Sequence, residues 1–267
     1  MTGFGWRAAI LSALLVAALP GQAPAPPPSI AAPRAPDDVT AAKENLAWDI
    51  EWRLIPAGVA KLTWTPMPGS AVAASEARLH LESTGIVSRL FRVNDDYTAM
   101  LGQNLCGGGT FMVAREGSRH KETRVVYDQE NHRAEYTETD LVKNAVVHQT
   151  VDTPPCVHDV LGGLIVLRTL HLEPGRTAMI PVSDGKKAAM VRVEAQRREE
   201  VTTPLGVQQT IRYEVFVFDN VIYKRSAHLH IWLTDDAVRL PVQLQVRLQF
   251  AIGTITLKLA KEERLPL

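Results

Sequence analysis

Alternating apolar and polar residues near the C-terminus constrain the fold of this chain most strongly. Residues 228–250 read HLHIWLTDDAVRLPVQLQVRLQF, with an apolar side chain at nearly every second position on both sides of Asp235-Asp236. A period of two is typical of a β-strand that buries one of its faces. A one-residue slip in pairing would expose every apolar side chain, so the pattern also sets the register. The segment therefore predicts an antiparallel hairpin with one apolar face.

The same alternation recurs along most of the chain. It predicts about ten to twelve strands, far above the share of strand in an average protein. We expect the first pair to be Trp48–Leu54 and 60–64, joined by a turn at Pro56-Ala57-Gly58. Further strands are expected at residues 78–82, 88–93, 124–128, 133–137, 180–183, 188–195, 213–218, 227–233, 242–250 and 255–259. Residues 88–93 also fit a helix, and Asp95-Asp96 is expected just after this segment.

Helix is scarce in this sequence. The best candidate is residues 159–170, DVLGGLIVLRTL, with Asp159 as the N-cap. Val160, Leu161, Leu164 and Leu167 would form its buried stripe. Gly162-Gly163 weakens this helix by about 1 kcal/mol per residue.

One short helix cannot cover the apolar face of so many strands. The sequence therefore predicts a mainly β protein with a single large curved antiparallel sheet, which is a half-barrel, a barrel or a sandwich. A half-barrel would present its inner face to a ligand, whereas a sandwich would fill its own core. A membrane-spanning barrel also alternates, but this chain has only 6% aromatic residues and no visible aromatic girdles.

The N-terminus has the pattern of an export signal. Arg7 precedes an apolar run over residues 8–19, which is too short to span a bilayer. We expect residues 1–19 to be a signal peptide, with Val16-Ala17-Ala18 suited to cleavage after Ala18. An uncleaved membrane anchor is the alternative. Residues 20–45, rich in Ala and Pro, are expected to be a disordered linker, and residues 46–267 a single β domain. The expected location is periplasmic or secreted.

The two cysteines fit an exported protein. Cys106 and Cys156 are expected to form a disulfide, which would stabilise the fold by about 4 kcal/mol in the loop-entropy model. The alternative is a nucleophilic Cys106 with the backbone amides of Gly107-Gly108-Gly109 as an oxyanion hole. A glycine run beside a bridged cysteine is more often a turn, so the disulfide is favoured.

Charge and motifs exclude several classes of function. The chain has 29 basic and 29 acidic residues, whereas a nucleic-acid binder needs an excess of basic side chains. It carries no nucleophile-elbow, phosphate-loop, dinucleotide or zinc-protease motif. His228 and His230 could hold a metal with His80 or His148, but nothing else has ligand spacing. Aspartate pairs such as Asp95-Asp96 are mostly turn formers. We therefore predict no catalytic residue, no metal site and no cofactor.

Four residues are candidates for ligand binding. Arg168, on a short apolar helix, would either pair with a buried carboxylate or bind an anionic headgroup, and pairing is favoured. Trp52, Trp64 and Trp232 are expected in the core, where aromatic walls also suit lipid or sugar binding.

The ordered features together resemble a known family of exported bacterial proteins, domain of unknown function 3108. The similarity covers about residues 46–262. The segments that carry it are Ile55-Pro56-Ala57-Gly58 with Ala60, residues 160–170 with Arg168, residues 232–236, Leu240-Pro241-Val242 and residues 252–255. The family has no established activity, so the resemblance implies no catalytic residue.

The closing strands are also distantly similar to half-barrel periplasmic lipoprotein carriers. Those carriers likewise end with a tryptophan strand, a Leu-Pro step and a glycine-centred hairpin, and they hold acyl chains in an apolar cup. This resemblance implies a non-catalytic binding module for an apolar or amphipathic ligand such as a lipid, acting in the cell envelope. A structural or protein-interaction module with a filled core, contacting an envelope protein, is the alternative, followed by an enzyme acting on envelope glycan or lipid.

Overall fold

The protein is one large antiparallel sheet with two short helices among the residues that the structure describes. This structure, a computed structural model, describes residues 29–30, 41–70, 73–248 and 253–265. The strands are β1 (Ser29–Ile30), β2 (Lys43–Trp52), β3 (Ile55–Pro66), β4 (Ser75–Ser83), β5 (Asn94–Leu101), β6 (Gly107–Glu116), β7 (Arg119–Asp128), β8 (Arg133–Asp140), β9 (Ala145–Asp152), β10 (Thr177–Ser183), β11 (Ala188–Thr203), β12 (Gly206–Val215), β13 (Ala227–Thr234), β14 (Pro241–Leu248) and β15 (Thr254–Leu265). The helices are α1 (Gly85–Leu90) and α2 (Val160–Thr169).

The sheet curves around α2. Its strand order is β1-β10-β11-β12-β13-β14-β15-β2-β3-β4-β5-β6-β7-β8-β9, and of the strands in the described ranges only the two-residue β1 pairs in parallel. Helix α2 contacts both β10 and β5, which lie nine strand spacings apart. Nine spacings would extend about 43 Å in a flat sheet, which is too far for one helix to reach both strands. The sheet must therefore wrap around α2, which corresponds to the half-barrel among the three architectures that the sequence left open.

Among the described strands, none pairs so as to close the sheet. Strands β9 and β10 lie at or next to its two ends, and β10 pairs on its outer side with β1. The segment before α2, residues 153–158, lies between β6 and β10. The amide of Gly107 donates to the carbonyl of Val157, and the amide of His158 donates to the carbonyl of Pro181. This segment thus joins the start of β6 to β10.

Antiparallel pairing sorts the connections onto two ends of the sheet, because successive hairpin turns alternate between them. We call the end of the sheet that carries the β2–β3 turn the mouth end, and the opposite end the base end. The mouth end holds residues 53–54, 84–93, 117–118, 141–144, 184–187 and 216–226. The base end holds residues 67–70 with 73–74, 102–106, 129–132, 153–176, 204–205 and 235–240.

The first hairpin turn differs from the prediction. The turn is Arg53-Leu54, both with positive φ, and Pro56-Ala57-Gly58 belongs to β3. Leu54, predicted as part of the buried alternation, is 85% exposed at the tip. Gly58 serves close strand packing, because a Cβ there would lie 2.3 Å from the carbonyl oxygen of Glu82.

Three further predictions on the first half of the chain are corrected. Residues 85–90 form α1, so the helical interpretation of residues 88–93 is right for its first part. Asp95-Asp96 lies within β5, so it does not follow a strand as predicted. Gly107-Gly108-Gly109 begins β6, whereas glycine runs favour turns. Strands β5, β6 and β9 were not predicted. The first six residues of β9 are all exposed, so its pattern shows no buried face.

Helix α2 confirms the predicted position and the Asp159 N-cap, but its buried side is wider than predicted. Val160 is exposed and Leu164 is half-buried, whereas the side chains of residues 165–169 are all buried. The reason is that the sheet surrounds the helix, so no face of its second half meets solvent.

The predicted signal peptide lies outside the described residues, as does Phe250. Of the predicted linker, Ser29–Ile30 pairs with β10, and β2 begins at Lys43, three residues before the expected boundary. Within the described ranges, the helices are too short or too polar to cross a membrane.

Candidate functional site

The inner face of the sheet grows more exposed toward the mouth end. On β2, the inward-facing side chains of Leu46 and Trp48 are buried and that of Ile50 is half-buried. On β15, Leu259 is buried while Leu257 and Ile255 are half-buried. Because inward-facing apolar side chains are the ones expected to be buried, this gradient marks where the core stops being covered.

The same change from buried to half-buried occurs on β4, β12, β13 and β14; Ala227, at the start of β13, is a buried exception. We call the half-buried, inward-facing set the apolar mouth. Its members are Ile50, Trp52, Leu79, Leu81, Val215, Leu229, Leu244, Val246, Ile255 and Leu257.

Five members of the apolar mouth form one continuous row across neighbouring strands. Register pairs join Val215 to Leu229, Leu229 to Val246, Val246 to Ile255 and Ile255 to Trp52. Four strand spacings make this row about 19 Å wide. A second row beside it joins Leu244, Leu257 and Ile50. The mouth is therefore an extended, partly uncovered apolar surface.

The N-terminus of α2 is fixed by a buried carboxylate. Asp159 is 1% exposed and accepts hydrogen bonds from the hydroxyl of Tyr97 at 2.8 Å and from the amides of Leu161 and Gly162 at 3.0 Å. Burial raises the pKa of Asp159, and these hydrogen bonds oppose that rise. A Cβ on Gly162 would lie 2.8 Å from the Asp159 carboxylate, so this helical glycine gives the cap its space.

The C-terminus of α2 is fixed at the base end by Arg168. Its guanidinium donates to both carboxylate oxygens of Glu44, at 2.7 and 2.9 Å, and both side chains are 1% exposed. Nε also donates to the carbonyl of Arg239 at 3.0 Å, and Nη2 donates to that of Val238 at 3.2 Å. Arg168 is thus the structural pair that the sequence favoured, and its partner Glu44 lay too far away in sequence to be predicted.

A second buried arginine lies beside this pair. Arg239 is 3% exposed, and its Nη2 donates to the hydroxyl of Tyr213, whose own hydroxyl donates to the carbonyl of Leu172. Burial raises the pKa of Tyr213, while the positive charge of Arg239 lowers it. These contacts close the base of the half-barrel with hydrogen-bonded groups and leave the mouth as its accessible end.

The structure separates the three candidate tryptophans. Trp52 lies in the apolar mouth, where Arg53 lies over its ring at 5.8 Å. Trp64 is 1% exposed and lies at the base, in register with Glu44. Trp232 lies on the opposite face of β13, where its Nε1 donates to Glu199 at 2.6 Å. Of the predicted ligand-binding residues, Trp52 is thus the one that the fold places in the mouth.

The predicted disulfide is confirmed. Cys106 and Cys156 are bonded, with Cα atoms 4.7 Å apart and a sequence separation of 50. The bond holds the 153–158 segment to the start of β6, next to the Gly107–Val157 hydrogen bond. It therefore stabilises the junction that this segment makes between β6 and β10.

The histidines and aspartates considered as ligands are engaged within the protein. His228 and His230 stack on the outer face of β13, with ring centroids 6.3 Å apart, and both face the carboxylate of Glu214. His80 contacts Asp96 at 2.9 Å. Asp95 is buried and accepts from the amide of Arg115 at 2.7 Å. Among the residues described, no three such side chains converge as a metal site would require.

Comparison with solved structures finds a protein of similar fold. A beta-barrel-like protein of domain of unknown function DUF1849 from Brucella abortus is similar in structure, with a TM-score of 0.56 and 9% identity over 86% of this chain and 100% of that chain. A putative exported protein with a YmcC-like fold from Bacteroides fragilis has a TM-score of 0.32 and 8% identity over 82% of this chain and 95% of that chain. Comparison with curated proteins finds no match.

At 9% identity, the likeness to the Brucella protein shows the fold alone. The model of a family described as protein of unknown function (DUF3108) matches residues 47–260. This range covers the sheet from β2 to β15 and includes both helices. The chain therefore belongs to the DUF3108 family of proteins of unknown function.

Proposed function

We propose that this protein is an exported, non-catalytic module that binds an apolar or amphipathic ligand, such as a lipid, in its apolar mouth. The observation that carries the proposal is the gradient on six strands, from buried side chains at the base end to half-buried apolar side chains at the mouth end. A core that served only stability would have little reason to leave an apolar row across five strands partly uncovered.

The free energy of apolar burial favours such a ligand. Each methylene group that leaves water for the mouth contributes about 0.8 kcal/mol, so an acyl chain gains several kcal/mol before the cost of association. The Arg168–Glu44 pair, at the C-terminal end of α2, occupies the base end. A ligand would therefore enter at the mouth end with its apolar part inward and its polar group toward solvent.

The disulfide supports the export part of the proposal. Disulfides persist in oxidising compartments such as the periplasm or the extracellular space and are rare in the cytosol. The apolar segment at residues 8–19 is the sequence feature that would direct export.

A structural or protein-interaction module is the second candidate. The observation in its favour is that α2 and the side chains around it fill the interior at the base end, as in a self-sufficient core. Under this alternative the half-buried row would be a small surface depression without a ligand.

Native mass spectrometry of protein purified from an export-competent host distinguishes the two candidates. The binding proposal expects a fraction of the protein to carry a lipid mass that gentle activation releases. The same protein with Leu244→Gln and Leu257→Gln is the matched variant, and it should lose that mass. Wild-type protein free of any adduct after purification without detergent would favour the structural module.

A further inference from the structure

Helix α1 and the residue that follows it expose several large apolar side chains to solvent. None of its residues is buried, and Ile86 and Leu90 are 62% and 73% exposed. Phe91, which follows it, is 51% exposed, and its ring lies against the β6–β7 turn, 3.1 Å from where a Cβ on Gly117 would lie. Such clustering of large apolar side chains in water usually marks an interaction site.

Two more exposed apolar residues lie close to α1 at the mouth end. Leu54 and Ile55 form the tip of the β2–β3 hairpin and are 85% and 44% exposed. The amide of Thr84, just before α1, donates to the carbonyl of Ala57, which ties the helix to this hairpin. We call Leu54, Ile55, Ile86, Leu90 and Phe91 the rim patch.

The rim patch continues into the apolar mouth. Ile55 is the register partner of Trp52, so their side chains lie on the same face of adjacent strands. Trp52 in turn is the register partner of Ile255 in the mouth. An apolar path therefore leads from the exposed rim to the inner face of the sheet.

Positive charge accompanies the rim patch. Arg89 and Arg92 are exposed, and neither forms an ion pair with a carboxylate of the described chain. Beside Phe91, a groove of about 500 Å³ is lined by Arg92, Arg115, Arg119 and His120. Arg115 and Arg119 are paired at 3.4 and 2.9 Å with Asp96 and Glu116, so Arg92 supplies the groove's uncompensated charge.

The connections at the two ends of the sheet differ in charge although the chain as a whole is neutral. The described mouth-end connections carry two carboxylates, Asp184 and Asp219, and eight cations, Arg53, Arg89, Arg92, Lys143, Lys186, Lys187, Lys224 and Arg225. Of the charged residues in the base-end connections, Arg168, Arg239 and Asp159 are buried, and the exposed ones are one cation, Arg176, and four carboxylates, Glu130, Glu173, Asp235 and Asp236. A surface drawn to the mouth end would therefore be anionic.

We propose that the rim patch docks on the surface of an anionic phospholipid bilayer, with a headgroup phosphate in the arginine groove. Exposed apolar side chains beside arginines are the combination that enters the headgroup region of a membrane, and each cation near an anionic surface strengthens binding several-fold. Arginine also matches the geometry of a phosphate group. The base end, with its excess of carboxylates, would face away from the membrane.

This docking extends the proposed function and rests on it, because its purpose is to bring a lipid to the mouth. A docked rim would bring the mouth against the bilayer, so that a lipid could pass along the apolar path without crossing water. Membrane docking and ligand binding nevertheless use different residues, so each can be tested alone.

Vesicle flotation of the full chain tests the docking. The probe is a pair of vesicle preparations, one of phosphatidylcholine alone and one with about a third of phosphatidylglycerol, each at low and high salt. The measured quantity is the additional binding that the anionic lipid causes, because the apolar segment 8–19 is common to all variants. Wild type should float with the phosphatidylglycerol-containing vesicles at low salt. The floating fraction should be at least tenfold lower with phosphatidylcholine vesicles or at high salt.

Three variants locate the docking surface. Arg89→Glu combined with Arg92→Glu should lower the anionic-lipid-dependent binding about tenfold or more, and Leu90→Ser combined with Phe91→Ser should lower it by a similar factor. The control is Arg124→Glu combined with Val207→Ser, which changes an exposed arginine and a 60% exposed valine away from the rim. This control should bind like wild type.

Either of two results would overturn the docking: wild type that does not respond to phosphatidylglycerol, or rim variants that bind as tightly as the control. Binding of an acyl probe in solution separates this failure from that of the proposed function. Rim variants that keep probe binding and lose vesicles support the docking, whereas mouth variants that lose the probe and keep vesicles show that docking stands on its own.

Discussion

Arg168 in α2 and Glu44 in β2 form a buried ion pair with two hydrogen bonds, although 124 residues separate them in sequence. The contact ties the central helix to the strand that begins the main body of the sheet. Arg264 in β15 approaches the same carboxylate at 3.2 Å, so three elements meet at Glu44. A planar arginine can satisfy both oxygens of one carboxylate, which a lysine cannot do.

We expect Arg168→Met to lower the free energy of unfolding by about 3–5 kcal/mol, because it leaves Glu44 buried without its main partner. Arg168→Lys should recover only part of this loss, since a lysine cannot reproduce the two parallel hydrogen bonds. Urea denaturation followed by tryptophan fluorescence measures the effect.

The matched control for this prediction is Arg78→Met, which breaks a surface pair with Glu76 in which Arg78 is 67% exposed. It should cost at most about 1 kcal/mol. If the two arginine variants proved equally stable, the buried pair would not anchor α2.

Removal of the disulfide should destabilise the junction before α2. Cys106→Ser should lower the free energy of unfolding by about 4 kcal/mol under oxidising conditions, and Cys156→Ser should do the same. Adding a reductant to wild type should bring its melting temperature close to that of the variants. Thermal melting that is identical for wild type and Cys106→Ser in oxidising buffer would contradict this account.

Glu138 should make stability depend on pH below about 5. Burial alone would raise its pKa, but hydrogen bonds from Lys121, Tyr136 and Lys186 outweigh burial and hold the pKa at about 2, against an ordinary value of 4.5. A lowered folded-state pKa means that the unfolded chain binds the proton more readily. The stabilisation is therefore complete above pH 4.5 and is lost as the pH falls toward 2.

Glu138→Gln should remove this stabilisation, costing about 1–2 kcal/mol at neutral pH after allowance for solvent screening. The variant should also flatten the fall in stability between pH 4.5 and 2. Glu135→Gln, an exposed position on the same strand, serves as the control and should keep the slope of wild type. A slope that Glu138→Gln left unchanged would assign the pH dependence to other groups.

Expression with cell fractionation tests the export prediction. The protein should be recovered from the periplasmic or culture fraction and should lack about 18 residues at its N-terminus. N-terminal sequencing of the recovered protein would reveal this cleavage. Full-length protein in the cytosol would contradict export, and full-length protein in the membrane fraction would indicate the anchor instead.

Local patterns predicted the parts of the fold that depend on neighbouring residues. The alternation in β13, β14 and β15 set the inner face correctly, and Asp159 marked the start of α2 because an N-cap acts within three residues. The turn at Pro56-Ala57-Gly58 was wrong because turn-forming residues there serve a close strand contact, while Arg53 and Leu54 adopt positive φ without glycine.

The candidate site depended on long-range contacts that local patterns do not contain. Period two shows which side chains share a face, but not that those of Ile50 and Leu257 are half-buried while those of Trp48 and Leu259 are covered. That difference arises from where α2 crosses the sheet. Likewise, the charge of Arg168 indicated a carboxylate partner, but 124 residues hid its identity.

Binding of a fluorescent fatty acid to the folded protein tests the central claim most directly. Wild type should bind the probe saturably, and Leu257→Gln should weaken binding about fivefold or more by placing a polar amide in the mouth. Val207→Gln, exposed at the other end of the sheet, should bind like wild type, with both variants shown to be folded by their denaturation curves. A wild type without saturable binding, or equal affinities for the two variants, would contradict the apolar mouth as a binding site.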